Sequence, residues 1–199
     1  MIYATTGRSI NSSMLPADAG CIVDNVATIT AIKEAVKDGK PLFSRVVTVT
    51  GDAIANPSNF LVRTGTDVNE LIEAAGGFKQ QPEKVISGGP MMGMAMYTTD
   101  VPAVKTFSCL LAMTKDEVAA NQPSNCIRCG RCVKVCPQKL MPMKLSVLAD
   151  HKEFDEFERL HGAECVECGS CSYICPAKRN LAQSMKTGRK QVLANRRKK

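Results

Sequence analysis

Eight of the ten cysteines fall into two runs of identical form, Cys126-x2-Cys129-x2-Cys132-x3-Cys136-Pro137 and Cys165-x2-Cys168-x2-Cys171-x3-Cys175-Pro176. Thiolates at this spacing suit the corners of a [4Fe-4S] cubane, because a loop with two residues between successive cysteines wraps three corners and leaves the fourth to come from elsewhere. Cys136 and Cys175 lie one step too far along to join their own run easily. The proline after each turns the chain and offers no N–H to a local ladder. In two-cluster proteins carrying this run, the fourth cysteine ligates the opposite cluster. Matched to that behaviour, the ligand sets are Cys126, Cys129, Cys132 and Cys175 for the first cluster and Cys165, Cys168, Cys171 and Cys136 for the second. Ile127, Val133, Val135, Val166 and Ile174 supply apolar neighbours that can shield both from water, one lever on reduction potential.

Structural zinc is the competing reading, but zinc sites usually draw on two separated Cys-x2-Cys pairs, and two four-cysteine runs each closed by proline favour iron–sulfur. A disulfide framework fits less well, since no secretory signal precedes the runs and metal-type spacing points to a reducing compartment. With eight thiolates available, neither His151 nor His161 is needed as a ligand. Cys21 and Cys109 lie in apolar stretches and read as core residues. Arg128, Arg131 and Lys134 surround the first run whereas Glu164 and Glu167 flank the second, so the first cluster is expected to be the easier to reduce.

The positions around these runs set the rest of the architecture. A length of 199 residues and 44% hydrophobic content suit one or two small globular domains. No apolar run approaches the roughly 20 residues of a spanning helix. The net charge of +7 is local: nine Lys or Arg and no acid follow Pro176, ending in Arg196, Arg197, Lys198 and Lys199. That segment, 183–199, reads as a basic tail, either solvated or meeting an acidic protein or anionic lipid. Nucleic acid is not expected, because no aromatic interleaves the basic residues.

Upstream, Gly20 to Val23 is a short strand candidate, and Asn25 can cap a helix with apolar positions Val26, Ile29, Ile32 and Val36 that ends at Gly39. One strand and one helix enclose no core, so 1–40 reads as the remnant of an α/β domain. Strands are expected at Arg45 to Thr50, Asn59 to Arg63 and Lys84 to Ser87, with a helix from Asp67 to Ala75 leaving through Gly76-Gly77. Gly88-Gly89-Pro90-Met91-Met92-Gly93 lacks the order of a dinucleotide loop and reads as a tight turn whose methionines pack locally. Between the runs, helices are expected from Pro142 and over Glu153 to Leu160. The fold class is therefore α+β, with a helical two-cluster domain after a small α+β unit.

The wording of several stretches resembles the C subunit of the Rnf electron transport complex over nearly the whole chain. They are Leu15-Pro-Ala-Asp-Ala-Gly20, Asp24-Asn25-Val26-Ala27-Thr28, Pro41-Leu-Phe-Ser-Arg45, Thr48-Val-Thr-Gly51, Val85-Ile-Ser-Gly-Gly-Pro-Met-Met-Gly93 and both cysteine runs. The resemblance implies a flavin- and NADH-binding α/β domain (here a remnant, 1–40), a β-grasp domain of the soluble-ligand-binding type (41–108) and a helical 2×[4Fe-4S] ferredoxin domain (109–182). It implies that Asn25 and Thr28 descend from a flavin (FMN) site, although Ala27 stands where the related pattern has glutamate. The glycine-rich loop that the family carries upstream is absent from these residues, so neither FMN nor NADH binding is expected of this chain. What remains is single-electron relay in a complex that passes electrons between ferredoxin and NAD while moving Na+ or H+. The chain would sit peripherally on the cytoplasmic face of the membrane, beside the other subunits. No residue stands out as a catalytic acid, base or nucleophile. An iron–sulfur subunit of a soluble oxidoreductase and a structural metal-binding interaction module stay open as alternatives.

Overall fold

The structure is a computed structural model that describes residues 1–11 and 14–198. The chain begins with a single helical turn, α1 (Ile2–Thr6), and a 3-10 turn at Pro16–Ala19, then enters α2 (Val26–Asp38). Asn25 caps α2 as its side chain accepts a hydrogen bond from the Ala27 N–H at 2.9 Å, and Gly39 ends it at φ +65°. No strand forms at Gly20 to Val23. Gly20 instead closes the 3-10 turn in a left-handed conformation, and Ile22 is 89% exposed, so nothing pairs with or covers the expected strand. By contacts the molecule divides into two units, Val23–Ala120 and a second built from Met1–Ile22 and the chain from Asn121 onward.

The first unit is organised on a five-stranded mixed sheet. Its strands are β1 (Ser44–Thr50), β2 (Ser58–Arg63), β3 (Lys84–Ser87), β4 (Met94–Ala95) and β5 (Cys109–Met113), in the order β2-β1-β5-β3-β4. β1 and β5 run parallel and the remaining pairs antiparallel. Alternation along β1 sends Val47 and Val49 inward while Val46 is exposed, and Leu110 and Ala112 of β5 point to the same core. One helix, α3 (Val68–Ala74), supplies Val68, Leu71 and Ile72 to that core. Asp67 caps it by accepting from the Asn69 N–H at 2.9 Å, and Gly76 and Gly77 form its exit at φ +82° and +78°. A short helix, α4 (Glu117–Ala120), closes the unit behind Asp116, which pairs with Lys84 at 2.6 Å.

A domain boundary at 108 does not match this arrangement, because β5 follows it and lies in the middle of the sheet. The run Cys-Leu-Leu-Ala-Met is uniformly apolar, so its sequence shows no alternation to mark it although its burial alternates along the strand.

The second unit is helical: α5 (Arg131–Val135), α6 (Pro142–Asp150), α7 (Phe154–Arg159), α8 (Ser170–Tyr173) and α9 (Leu181–Arg196). Pro142 starts α6 at a position where a missing N–H costs nothing. The core gathers Leu145, Leu148, Phe157, Met185 and Val192. The Phe157 ring is wedged between Gly162 and Gly188, where an added Cβ would come within 2.3 Å and 2.8 Å of it. Residues 183–198 are therefore not a tail. α9 buries Leu181, Met185, Gly188 and Val192, which recur at helical spacing, and keeps its basic residues on the other faces. Lys199 of the expected tail lies outside the described residues. Among the described residues, no helix is long and apolar enough to cross a membrane.

Gly51, just past β1, has φ +123°, and a Cβ there would fall 1.9 Å from the Ala112 carbonyl oxygen of β5. Strain and overlap combine, so Gly51→Ala should lower the stability of the sheet unit by about 3 kcal/mol or more. A urea midpoint unchanged from the parent chain would contradict this packing.

Candidate metal centres

The two cysteine runs adopt the same local structure. Each leaves its first two cysteines through a glycine in left-handed conformation, Gly130 (φ +72°) or Gly169 (φ +77°), and enters a short helix that carries the third, Cys132 on α5 or Cys171 on α8. Arg128 and Glu167, each just before the second cysteine, share φ +56°; Lys139 and Lys178, three residues after the fourth, have φ +53° and +51°. Left-handed conformations are uncommon for residues with a side chain. Their recurrence at matching positions marks one loop built twice. In the second copy the turn at Glu167 aims its backbone N–H at the Cys165 sulfur, 3.4 Å away.

These loops bring the cysteines together around two cavities, and each cavity takes its fourth cysteine from the opposite run. Cys126, Cys129 and Cys132 line the first with Cys175; Cys165, Cys168 and Cys171 line the second with Cys136. The two spaces, counted together with the solvent they open to, are about 350 Å³ and 360 Å³. Pro176 and Pro137 lie at the rims, consistent with chain turns that carry the fourth cysteines across. Among the described residues, no three Cys, His, Asp or Glu side chains converge closely enough to hold a single metal ion. Four thiols around each cavity, at the spacing of the cluster-binding run, fit a [4Fe-4S] cluster at each site.

The remaining walls are mostly apolar, with Arg179 at the first cavity and Gln138 and Glu167 at the second. Ile127 and Val166 occupy equivalent places, as the sequence suggested, but Met143 and Leu181 at the first cavity and Leu140 and Met185 at the second carried no signal in the cysteine spacing. The pattern that finds them is the repeat extended past the prolines: α6 begins at Pro142 and α9 at Leu181, each six residues after a fourth cysteine. The C-terminal helix is thus the second copy of α6.

Burial raises the thiol pKa of Cys132 and Cys165 and pushes that of Cys171 up to about 11, whereas the Ser170 hydroxyl, 3.4 Å from the Cys168 sulfur, lowers that thiol. Thiolate ligation must displace those protons, so cluster assembly releases them. The Leu140 N–H donates to the Cys136 sulfur at 3.4 Å, a type of contact that tunes iron–sulfur potentials. The two sites differ in exposure. Cys126 and Cys129 are exposed and Cys165 and Cys168 half-buried.

Asn25 and Thr28 line neither cavity. Asn25 is accounted for as the cap of α2, and Thr28 faces a groove between α2 and the sheet that Leu42, Arg45, Val46 and Leu61 also line. His151 and His161 are exposed and also line neither cavity.

Comparison with known proteins converges on the same segments. A family described as the SLBB domain matches residues 46–95, and one described as the 4Fe-4S dicluster domain matches residues 125–179. The chain is 46% identical over 198 residues to the C subunit of the Na(+)-translocating ferredoxin:NAD(+) oxidoreductase complex of Acetobacterium woodii, covering 100% of this chain and 45% of that relative. It is 48% identical over 156 residues to the C subunit of the proton-translocating ferredoxin:NAD(+) oxidoreductase complex of Clostridium ljungdahlii, covering 78% and 34%. Identity to the C subunit of the ion-translocating oxidoreductase complex of Yersinia pestis is 45% over 141 residues, covering 70% and 23%. The chain therefore spans less than half the length of each of these relatives.

Proposed function

The chain belongs to the C-subunit family of Rnf ion-translocating electron transport complexes, and from that premise we propose that it relays single electrons inside a membrane-associated ferredoxin:NAD oxidoreductase. The observation that carries this reading is the pair of cavities, each ringed by four thiols drawn from both runs. When bound there, a [4Fe-4S] cluster supplies reversible one-electron chemistry. Cys126, Cys129, Cys132 and Cys175 would hold one, and Cys165, Cys168, Cys171 and Cys136 the other. The protein's part is to fix eight thiolates, exclude water with Met143, Leu181, Leu140 and Met185, and direct backbone N–H groups at sulfur. No side chain is assigned to bond-making chemistry.

The domain reading extends this proposal. The sheet of Val23–Ala120, matched over 46–95, is read as the β-grasp domain, with the helical unit as the ferredoxin domain. α2 is read as the remnant of the family's flavin- and NADH-binding domain. Its apolar positions support that assignment, since Val26 is 79% and Val36 82% exposed, as on a helix whose covering layer is supplied by a longer chain. Coupling to Na+ or H+ is read from the complexes named for the relatives, and the place assigned to the chain is peripheral, on the cytoplasmic face.

Anaerobically reconstituted chain should hold about eight iron and eight sulfide, with a visible spectrum that bleaches on reduction. Stoichiometric zinc without acid-labile sulfide would refute electron transfer.

The crossing of ligands makes opposite forecasts for single mutations. Cys136→Ser should damage the cluster of Cys165, Cys168 and Cys171, and Cys175→Ser that of Cys126, Cys129 and Cys132. Electron spin resonance showing Cys136→Ser loss confined to the first run's cluster would mean the ligands are local.

With Asn25 occupied in capping, the chain by itself should neither retain flavin nor oxidise NADH with an artificial acceptor. Tight stoichiometric flavin binding by the purified chain would overturn the remnant assignment.

A further inference from the structure

The two copies of the loop are not equally secured. At the second, the guanidinium of Arg189 on α9 reaches both flanks of Cys165. Its Nε donates to the Ala163 carbonyl at 3.1 Å, two residues before the cysteine, and its Nη1 donates to the Glu167 carboxylate at 3.0 Å, two residues after. Lys186, one helical turn earlier, lies 3.9 Å from the other Glu167 oxygen. Glu167 is the residue held at φ +56° whose N–H points at the Cys165 sulfur, and its side chain is only 14% exposed. At the first loop the matching residue is Arg128, which is exposed. The residue of α6 that matches Arg189 is Asp150, and no ion pair joins it to Arg128 among the described residues. Charge is thus exchanged between the copies, and the brace is seen only in the second.

We infer that Arg189, assisted by Lys186, is a positioning residue for the second cluster: it clamps the loop that carries Cys165 and Cys168 and offsets the one carboxylate lining that cavity. Glu167 and Arg128 share the left-handed turn, so the brace does not create that conformation; at Glu167 it adds a guanidinium that ties the turn to α9 through the Ala163 carbonyl and the Glu167 carboxylate. Charge-assisted hydrogen bonds are stronger than neutral ones, and a planar guanidinium can hold a carbonyl and a carboxylate at once where an ammonium cannot in the same geometry. The basic face of α9 thereby belongs to the redox site, in addition to any role at a partner surface.

The inference rests on the two-cluster reading, and a residue-resolved readout separates its failure from that of the reading. The reconstituted chain is challenged anaerobically with an iron chelator, samples are alkylated with iodoacetamide over time, and modification of each cysteine is followed by mass spectrometry. Ligated sulfur is protected. In Arg189→Gln, Cys165, Cys168, Cys171 and Cys136 should become modified about tenfold faster than in the parent, the factor that one charge-assisted hydrogen bond of ordinary strength supplies. Cys126, Cys129, Cys132 and Cys175 should keep the parental rate. Arg189→Lys should recover part of the protection, and Glu167→Gln, which leaves the Ala163 contact in place, should show a smaller loss. Equal acceleration at all eight cysteines would assign Arg189 a merely structural role and overturn the brace, as would parental rates throughout in Arg189→Gln. No cysteine protected in the parent chain would remove the two-cluster reading and the brace together.

Discussion

Everything in the helical unit follows from one constraint: a cubane needs four thiolates, and a Cys-x2-Cys-x2-Cys loop presents only three to any one centre. Drawing the fourth from the opposite run makes each cavity a contact between two distant parts of the chain. Cys175 sits with α5 and Cys136 with the loop before α8, so neither half of the unit can complete a site alone. Ligand binding of this kind contributes directly to folding, because the unfolded chain has no preformed site. The apolar core of α6, α7 and α9 is correspondingly small, with Phe157 held between two glycines as its largest fully buried side chain.

The repeat behind the crossing also explains why the chain continues past the second run. Each fourth cysteine is followed by a proline, a left-handed lysine and a helix that returns over the opposite cavity, first α6 and then α9. Met143 of α6 covers the first site and Met185 of α9 the second. Methionine suits a wall of this kind, since its flexible, polarizable side chain fills irregular space beside sulfur without adding a charge. α9 is the longer of the two helices and places Lys186 and Arg189 where α6 has Val147 and Asp150, so the copies have diverged in electrostatics while keeping the same backbone.

Legibility from sequence tracked the range of the determining interaction. The cysteine runs, the caps at Asn25 and Asp67, and the helix start at Pro142 are set by neighbours within a few residues, and all appear where their local chemistry places them. β5 was not legible, because its five residues are apolar on both faces, so the alternation in its burial has no counterpart in its sequence. α9 was misleading for the opposite reason. Its basic residues dominate the composition, and the stripe Leu181, Met185, Gly188 and Val192 includes a glycine whose value lies in the absent side chain beside Phe157. At Gly20 to Val23 four residues of suitable type are not a strand, since no neighbour offers a ladder. Conversely, the stripe of α2 has correct helical spacing and no buried residue, so periodicity reported the helix but not its burial.

Charge around the two sites shows how far local sequence can be trusted for function. Read along the chain, Arg128, Arg131 and Lys134 oppose Glu164 and Glu167, a contrast that favours reduction at the first cluster. In three dimensions Glu167 is paired with Arg189 and Lys186, which cancels much of its field at the second. The cations at the first site are exposed, where mobile ions screen charges over about 8 Å at physiological ionic strength. The half-buried pair at the second is screened less. The charge contrast between the two loops therefore sets solvent-facing cations at one against a paired carboxylate at the other, and the pairing partners come from α9, outside the run itself.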